Sequence, residues 1–149
     1  MNISVNLNDL KSTGLFVSNE MFGGNYLFHR NNLENFEKIQ LMIPMSGLRF
    51  PGGSVTEHFF DVSNPDALPP DFDELGQDRH TTLTEFLDYC NTTGIKPTIV
   101  IPTRVALNSD REVDPEYVEA VKTFVRDLMH RTSENGEFPF ADVYAFEIG

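Results

Sequence analysis

The sequence predicts an α/β protein built on a parallel sheet, and two observations carry that prediction. Three segments with the apolar period of helices alternate with four short runs that are apolar throughout, and the loops after strands are far longer than those after helices. A β-α-β-α-β-α-β order asks for parallel strands joined by right-handed crossovers. Continuously apolar strands are those covered on both faces.

The first strand is read in "FGGNYLF", Phe22 to Phe28. In "NNLENFEKIQLMIP" Asn31 is the expected N-cap with Glu34 three residues on, Leu33, Phe36, Ile39 and Ile43 follow at near-helical spacing, and Pro44 is the stop. "GLRF", Gly47 to Phe50, is the second strand. "TLTEFLDYCNTTG" pairs Thr82 with Glu85 as a capping box, repeats Leu83, Phe86, Leu87 and Cys90 on one face, and ends at Gly94. The third strand is "PTIVIP", Pro97 to Pro102. A third helix follows from Asp114 as N-cap, Pro115 at the first helical position, and Val118, Val121, Val125 and Leu128 on one face, with Asn135-Gly136 as the turn beyond it. "VYAFEI", Val143 to Ile148, is the fourth strand.

After the helices the chain returns within a few residues, but after two strands it runs through Pro51–His80 and Thr103–Val113. Those long loops lie at the carboxyl ends of strands, the face on which barrels and doubly wound sheets carry their sites. The acidic, proline-rich stretch Asp61 to Asp78 matches no EF-hand spacing and reads as a solvated loop.

With 149 residues, 40 % of them hydrophobic and 13 of them Phe, the chain can bury the core of one soluble domain. A net charge of −12 opposes binding to nucleic acid or to an acidic membrane surface. No segment approaches the ~20 apolar residues of a membrane span, and the amino terminus lacks a signal-peptide pattern. That leaves a cytoplasmic protein or one exported without a cleaved amino-terminal signal. The single cysteine, Cys90, lies on an apolar helix face and reads as a buried thiol. His58, His80 and His130 have no metal-ligand spacing, so neither metal nor cofactor is expected.

The chemistry is concentrated in "LRFPGGS", Leu48 to Ser54, where a strand brings Arg49 to the sheet rim and Pro51, Gly52 and Gly53 turn the chain sharply. The bland reading of that stretch is a turn with a salt-bridged arginine. Together with "MFGGN", "EFLDYCNTTGIKPTIVI" and the final "VYAFEIG", it resembles the amino-terminal half of the (β/α)8 catalytic barrel of the large glycoside hydrolase clan, above all its α-L-arabinofuranosidase and heparanase-like β-glucuronidase members. The resemblance implies strands one to four of a TIM barrel over residues 14–149, after a lead-in at 1–13. It also extends to the amino-terminal glycosidase-like regions of secreted bacterial calcium-binding repeat proteins, which implies an extracellular place reached by signal-peptide-independent export.

What the resemblance implies for mechanism is retaining hydrolysis of a polysaccharide by two carboxyl groups about 5 to 5.5 Å apart. The fourth strand of those families continues into Asn-Glu, so the acid/base is expected just after Gly149 and the nucleophile on a later strand; residues 1–149 by themselves are expected to be inactive. Glu147 falls on the same side of its strand as that acid/base and is expected to pair with Arg49, which would orient a catalytic carboxylate and keep it ionised. Asn25 of the first strand is a further candidate for binding, and Gly52 and Gly53 would let a sugar approach the backbone. Phe28-His29 stands where arabinofuranosidases show Glu-His, which removes a sugar-hydroxyl acceptor beside His29. Arg104 stands where relatives carry asparagine and glycines; it would meet a uronate carboxylate or pair with Asp110 or Glu112. The chain has no Trp, so Phe59 and Phe60 are the candidates for sugar stacking.

The expected partner is therefore a carbohydrate, and a half barrel leaves two open strand edges that favour self-association. The rival reading is a non-catalytic carbohydrate-binding or adhesive module of a secreted protein. A flavodoxin-like small-molecule binder is weaker, because no phosphate-cradling glycine loop leads into a helix.

Overall fold

A computed structural model describes residues 22–28, 32–54, 56–67, 80–130 and 143–149. Four strands, β1 (Gly23–Asn25), β2 (Gly47–Phe50), β3 (Lys96–Ile101) and β4 (Ala145–Ile148), form one sheet in the order β1-β2-β3-β4 with every neighbouring pair parallel. Between them lie α1 (Leu33–Met42), α2 (Thr56–Phe59), α3 (Leu83–Thr93) and α4 (Pro115–His130), with a short 3-10 helix at Arg104–Ala106. The α/β class and the parallel sheet agree with the sequence reading.

Local chemistry explains where the helices start and stop. Thr82 and Glu85 form the expected reciprocal capping box, and α3 ends at Gly94 with φ +72°, a left-handed conformation suited to glycine. In α4 the Asp114 carboxylate accepts from the Glu116 amide at 2.9 Å, as an N-cap does, ahead of Pro115. The cap of α1 differs from expectation by one residue: Asn32 rather than Asn31 accepts from the Asn35 amide. Its neighbour Asn31 and the Asn135-Gly136 turn lie outside the described residues.

β1 is shorter than the apolar run around it: the last ladder bond runs from Tyr26 N to Arg49 O at 2.8 Å, and Tyr26 and Phe28 are buried. Tyr26 is fully buried, with ring centroids of Phe36, Phe86 and Phe50 at 5.0, 5.5 and 6.1 Å. Phe50 stacks on Phe86 at 4.5 Å, and Phe60 joins that cluster to Phe124 of α4. The Tyr26 hydroxyl is satisfied by Thr81 Oγ1 at 2.8 Å, which anchors the segment leading into α3.

The two faces of the sheet differ. Leu48, Phe50, Ile99 and Ile101 point into the core shared with α1, α3 and α4. Strand alternation and register place Asn25, Arg49, Thr98, Val100, Ala145 and Glu147 on the other side. Val100 is buried there, but the row is otherwise small or polar. The expectation of strands covered on both faces is thus corrected: among the described residues the helices pack one face only. Sequential strand order with one-sided helices also lacks the order reversal of a doubly wound sheet and is compatible with half of a TIM barrel.

Two measurements test this packing. Thr82→Ala removes one half of the capping box and is expected to destabilise the fold by about 1 kcal/mol in urea titration. Burial pushes the Cys90 thiol up to about 12, so it is expected to resist thiol reagents at pH 8 in the native chain and to react once the chain is unfolded.

Candidate functional site

The helix-free face and the carboxyl rim of the sheet carry the polar groups. Arg49 of β2 reaches across β3 to Glu147 of β4, with Nε donating to Oε2 at 2.5 Å and Nη2 to Oε1 at 2.8 Å. This is the pair expected from the sequence, in fork geometry. The hydrogen bonds from Arg49 are the main cause that holds the Glu147 carboxyl below the usual glutamate range, and Glu147 in turn raises Arg49. A carboxylate held ionised in this way is a poor proton donor.

A groove of about 410 Å³ runs along this face, floored by Gly23 and Gly47 and bordered by Asn25, Arg49, Tyr144 and Glu147. Asn25 pairs in register with Arg49, so the structure brings Asn25, Arg49 and Glu147 together. Lys96 lines the same groove toward the amino-terminal ends of the strands and sits 4.9 Å from the centre of the Tyr144 ring.

The turn after β2 follows from its glycines. Gly53 has φ +84° and is exposed. Gly52 is buried, and a side chain there would lie 3.1 Å from the Tyr26 carbonyl oxygen and 3.2 Å from Asn25 Cβ. The missing side chain of Gly52 thus admits the end of β1. Gly52 N donates to Tyr26 O at 2.8 Å, which fixes that approach.

Arg104 meets neither Asp110 nor Glu112. Its Nη1 lies 2.7 Å from His58 Nε2, and its amide donates to Glu57 Oε2 at 2.6 Å. The same oxygen accepts from Thr103 N at 2.8 Å and Thr103 Oγ1 at 3.4 Å. Glu57 Oε1 is buried with no hydrogen-bond partner among the described residues. Tyr117 of α4 donates to the Pro102 carbonyl, and its phenol is pushed up to about 12 by burial first and then by Glu57 and Asp61. These contacts fix the loop after β3 against α2. Gly149 N bonds Ile101 O at 3.0 Å, and a side chain at Gly149 would lie 3.6 Å from Thr103 Oγ1, so the end of β4 adjoins that loop.

No family model, curated protein or solved structure matches the chain. Its own geometry therefore carries the functional reading.

Among the remaining expectations, Phe60 is buried in the core and so taken up by folding, while Phe59 is half-buried against it. His29 lies outside the described residues. No cluster of three His, Cys, Asp or Glu side chains able to hold a metal occurs among the described residues, and no helix among them is long and apolar enough to cross a membrane. Sequence reasoning missed Glu57 and His58 as a unit. The signal was faint: a single turn, "TEHF", inside a long loop.

The Arg49–Glu147 pair makes a pH prediction. Glu147 has a lowered folded pKa, so its contribution is complete above the unfolded value of about 4.3 and is lost as pH falls through the depressed folded value. Both side chains are partly exposed, which limits the effect to about 1 kcal/mol. Arg49→Gln is expected to lose that much at pH 7 and nothing near pH 2, read from urea midpoints at both pH values.

Proposed function

We propose that this chain forms strands one to four of a glycosidase-type (β/α)8 barrel and that its sheet rim contacts the sugars of a polysaccharide. The single observation that carries the reading is the forked Arg49–Glu147 pair on the helix-free face. It holds a cation beside the end of β4, on the side of that strand from which a residue four positions beyond Glu147 would also project. The sequential strand order and one-sided helices are consistent with the same architecture.

In this reading the chemistry is retaining hydrolysis, with the acid/base supplied just after Gly149 and the nucleophile from a later strand. Arg49 uses Nε and Nη2 on Glu147 and keeps Nη1 for a second acceptor. A carboxylate placed against Nη1 would stay ionised, as a nucleophile must. Glu147 keeps the guanidinium in plane for that task. The open edges of β1 and β4 make self-association of residues 1–149 part of the proposal, and sedimentation should give a mass above 16.9 kDa.

The experiment compares residues 1–149 with the polypeptide encoded by the uninterrupted reading frame. The longer polypeptide is expected to continue into Asn-Glu and to cleave a polysaccharide, with Glu→Gln at that position lowering the rate about 10²-fold or more. Residues 1–149 are expected to bind oligosaccharide without cleaving it. Binding by both polypeptides with hydrolysis by neither would replace the enzyme reading with a carbohydrate-binding module. Absence of binding as well as hydrolysis would overturn the proposal.

A further inference from the structure

α1 runs back from the carboxyl rim and ends at the opposite end of the sheet, beside the starts of β1 and β2. Its last turn displays apolar side chains to solvent: Leu41 is 87 % exposed, Met42 83 %, Ile43 62 % and Ile39 41 %. Single exposed apolar residues are ordinary, but a contiguous group of them marks a surface that something covers. Fraying does not account for the group. Ile43 N bonds Ile39 O at 2.8 Å, and the Gln40 amide both donates to Met45 O at 2.7 Å and accepts from Met45 N at 3.0 Å.

Charge sets the same stretch apart. The chain has 23 acidic residues, yet none falls between Glu37 and Glu57. The two cations in that interval, Lys38 and Arg49, are each bonded to a glutamate. In a chain of net charge −12 this helix end is therefore a neutral, apolar island.

The backbone shows what lies next to it. Phe22 is 52 % exposed, and its carbonyl accepts from Ser46 N at 2.8 Å and Ser46 Oγ at 3.1 Å. The chain thus enters β1 from a point fixed three residues beyond Ile43. Residues 1–21 lie outside the described residues, and their charged side chains are Asp9, Lys11 and Glu20 alone. The apolar run in them nearest to Phe22 is Leu15-Phe16-Val17. Val17 stands five residues before Phe22, a reach of roughly 17 Å, while Ile43 lies at most about 11 Å from Ser46. An interface between two molecules takes about 20 residues a side. Phe22 and the end of α1 offer five, too few for a second copy to hold. A segment tethered at Phe22 needs far less, because a short linker sets its effective concentration.

We propose that Leu15, Phe16 and Val17 of the same chain pack on Ile39, Met42 and Ile43 and cap the end of the sheet opposite the rim. β1 is then secured at both ends, by this cap before Gly23 and by the Tyr26 bonds after Asn25. Nothing in the contact depends on sugar chemistry at the rim.

The test is NOE spectroscopy of residues 1–149 carrying ¹³C-labelled Ile and Met methyl groups. The expected result is NOEs from the Phe16 ring to the methyl groups of Met42 and Ile43, with none in isotope-filtered spectra of an equal mixture of labelled and unlabelled chains. Met42→Asp should abolish the NOE to Ile43 and shift the amides of residues 15–17. Phe16→Asp should shift the Met42 and Ile43 methyl signals in return. Unchanged Arg49 and Glu147 amides confirm that each variant is folded. NOEs from Phe16 in the filtered mixture would put a second copy on the patch, and NOEs from another segment would give it a different occupant. Either result would overturn the proposal, as would the absence of any NOE to Met42 and Ile43 or unmoved amides at residues 15–17 in Met42→Asp.

Discussion

The structure depends on how Tyr26 is held. Its amide donates to the Arg49 carbonyl at 2.8 Å and its own carbonyl accepts from Gly52 N at 2.8 Å, so one residue splices the end of β1 to the turn after β2. Its ring is the hub of an aromatic cluster, and its hydroxyl reaches Thr81 ahead of α3. Burying a tyrosine completely is favourable only when its polar end is paired, and Thr81 supplies that partner. Without Tyr26 in place, Gly52 would have nothing to close upon, and the loop carrying Glu57 and His58 would lose its fixed origin.

From that hub the rim is built outward by carboxylates used as ties. Asp66 accepts from both the amide and the hydroxyl of Thr84, at 2.9 and 2.6 Å, which pins the long loop to the start of α3. Glu57 does the same for the loop after β3, and Glu147 for the two sides of the sheet. Net charge alone would scatter the acids of such a chain into solvent. Here several acids instead satisfy backbone amides or a guanidinium, and such charge-assisted bonds are stronger than neutral ones.

What could be read from the sequence was what local rules decide. The Thr82–Glu85 box and Gly94 delimit the 11 residues of α3, and β2 was visible from four letters. The Arg49–Glu147 pair was legible because alternation along two strands fixes side without knowledge of loops. Two adjacent asparagines offered equivalent caps for α1, and only the fold distinguishes them. Helices of three and four residues are too short to show a period, so α2 and the 3-10 turn were hidden. With them went the His58–Arg104 contact, which exists only because two separate loops meet. The polar face escaped notice because glycines and alanine made the strand runs look uniformly apolar.

The Arg49–Glu147 bond joins residues 98 apart in sequence, across a strand that lies between them. Contacts of such separation require most of the intervening chain to be ordered before they form, since the entropy of closing so long a loop must be met first. Among the described residues β4 pairs with β3 alone. The charge lock on the rim therefore reports the arrival of β4, and its loss is the natural first step when β4 frays from the sheet.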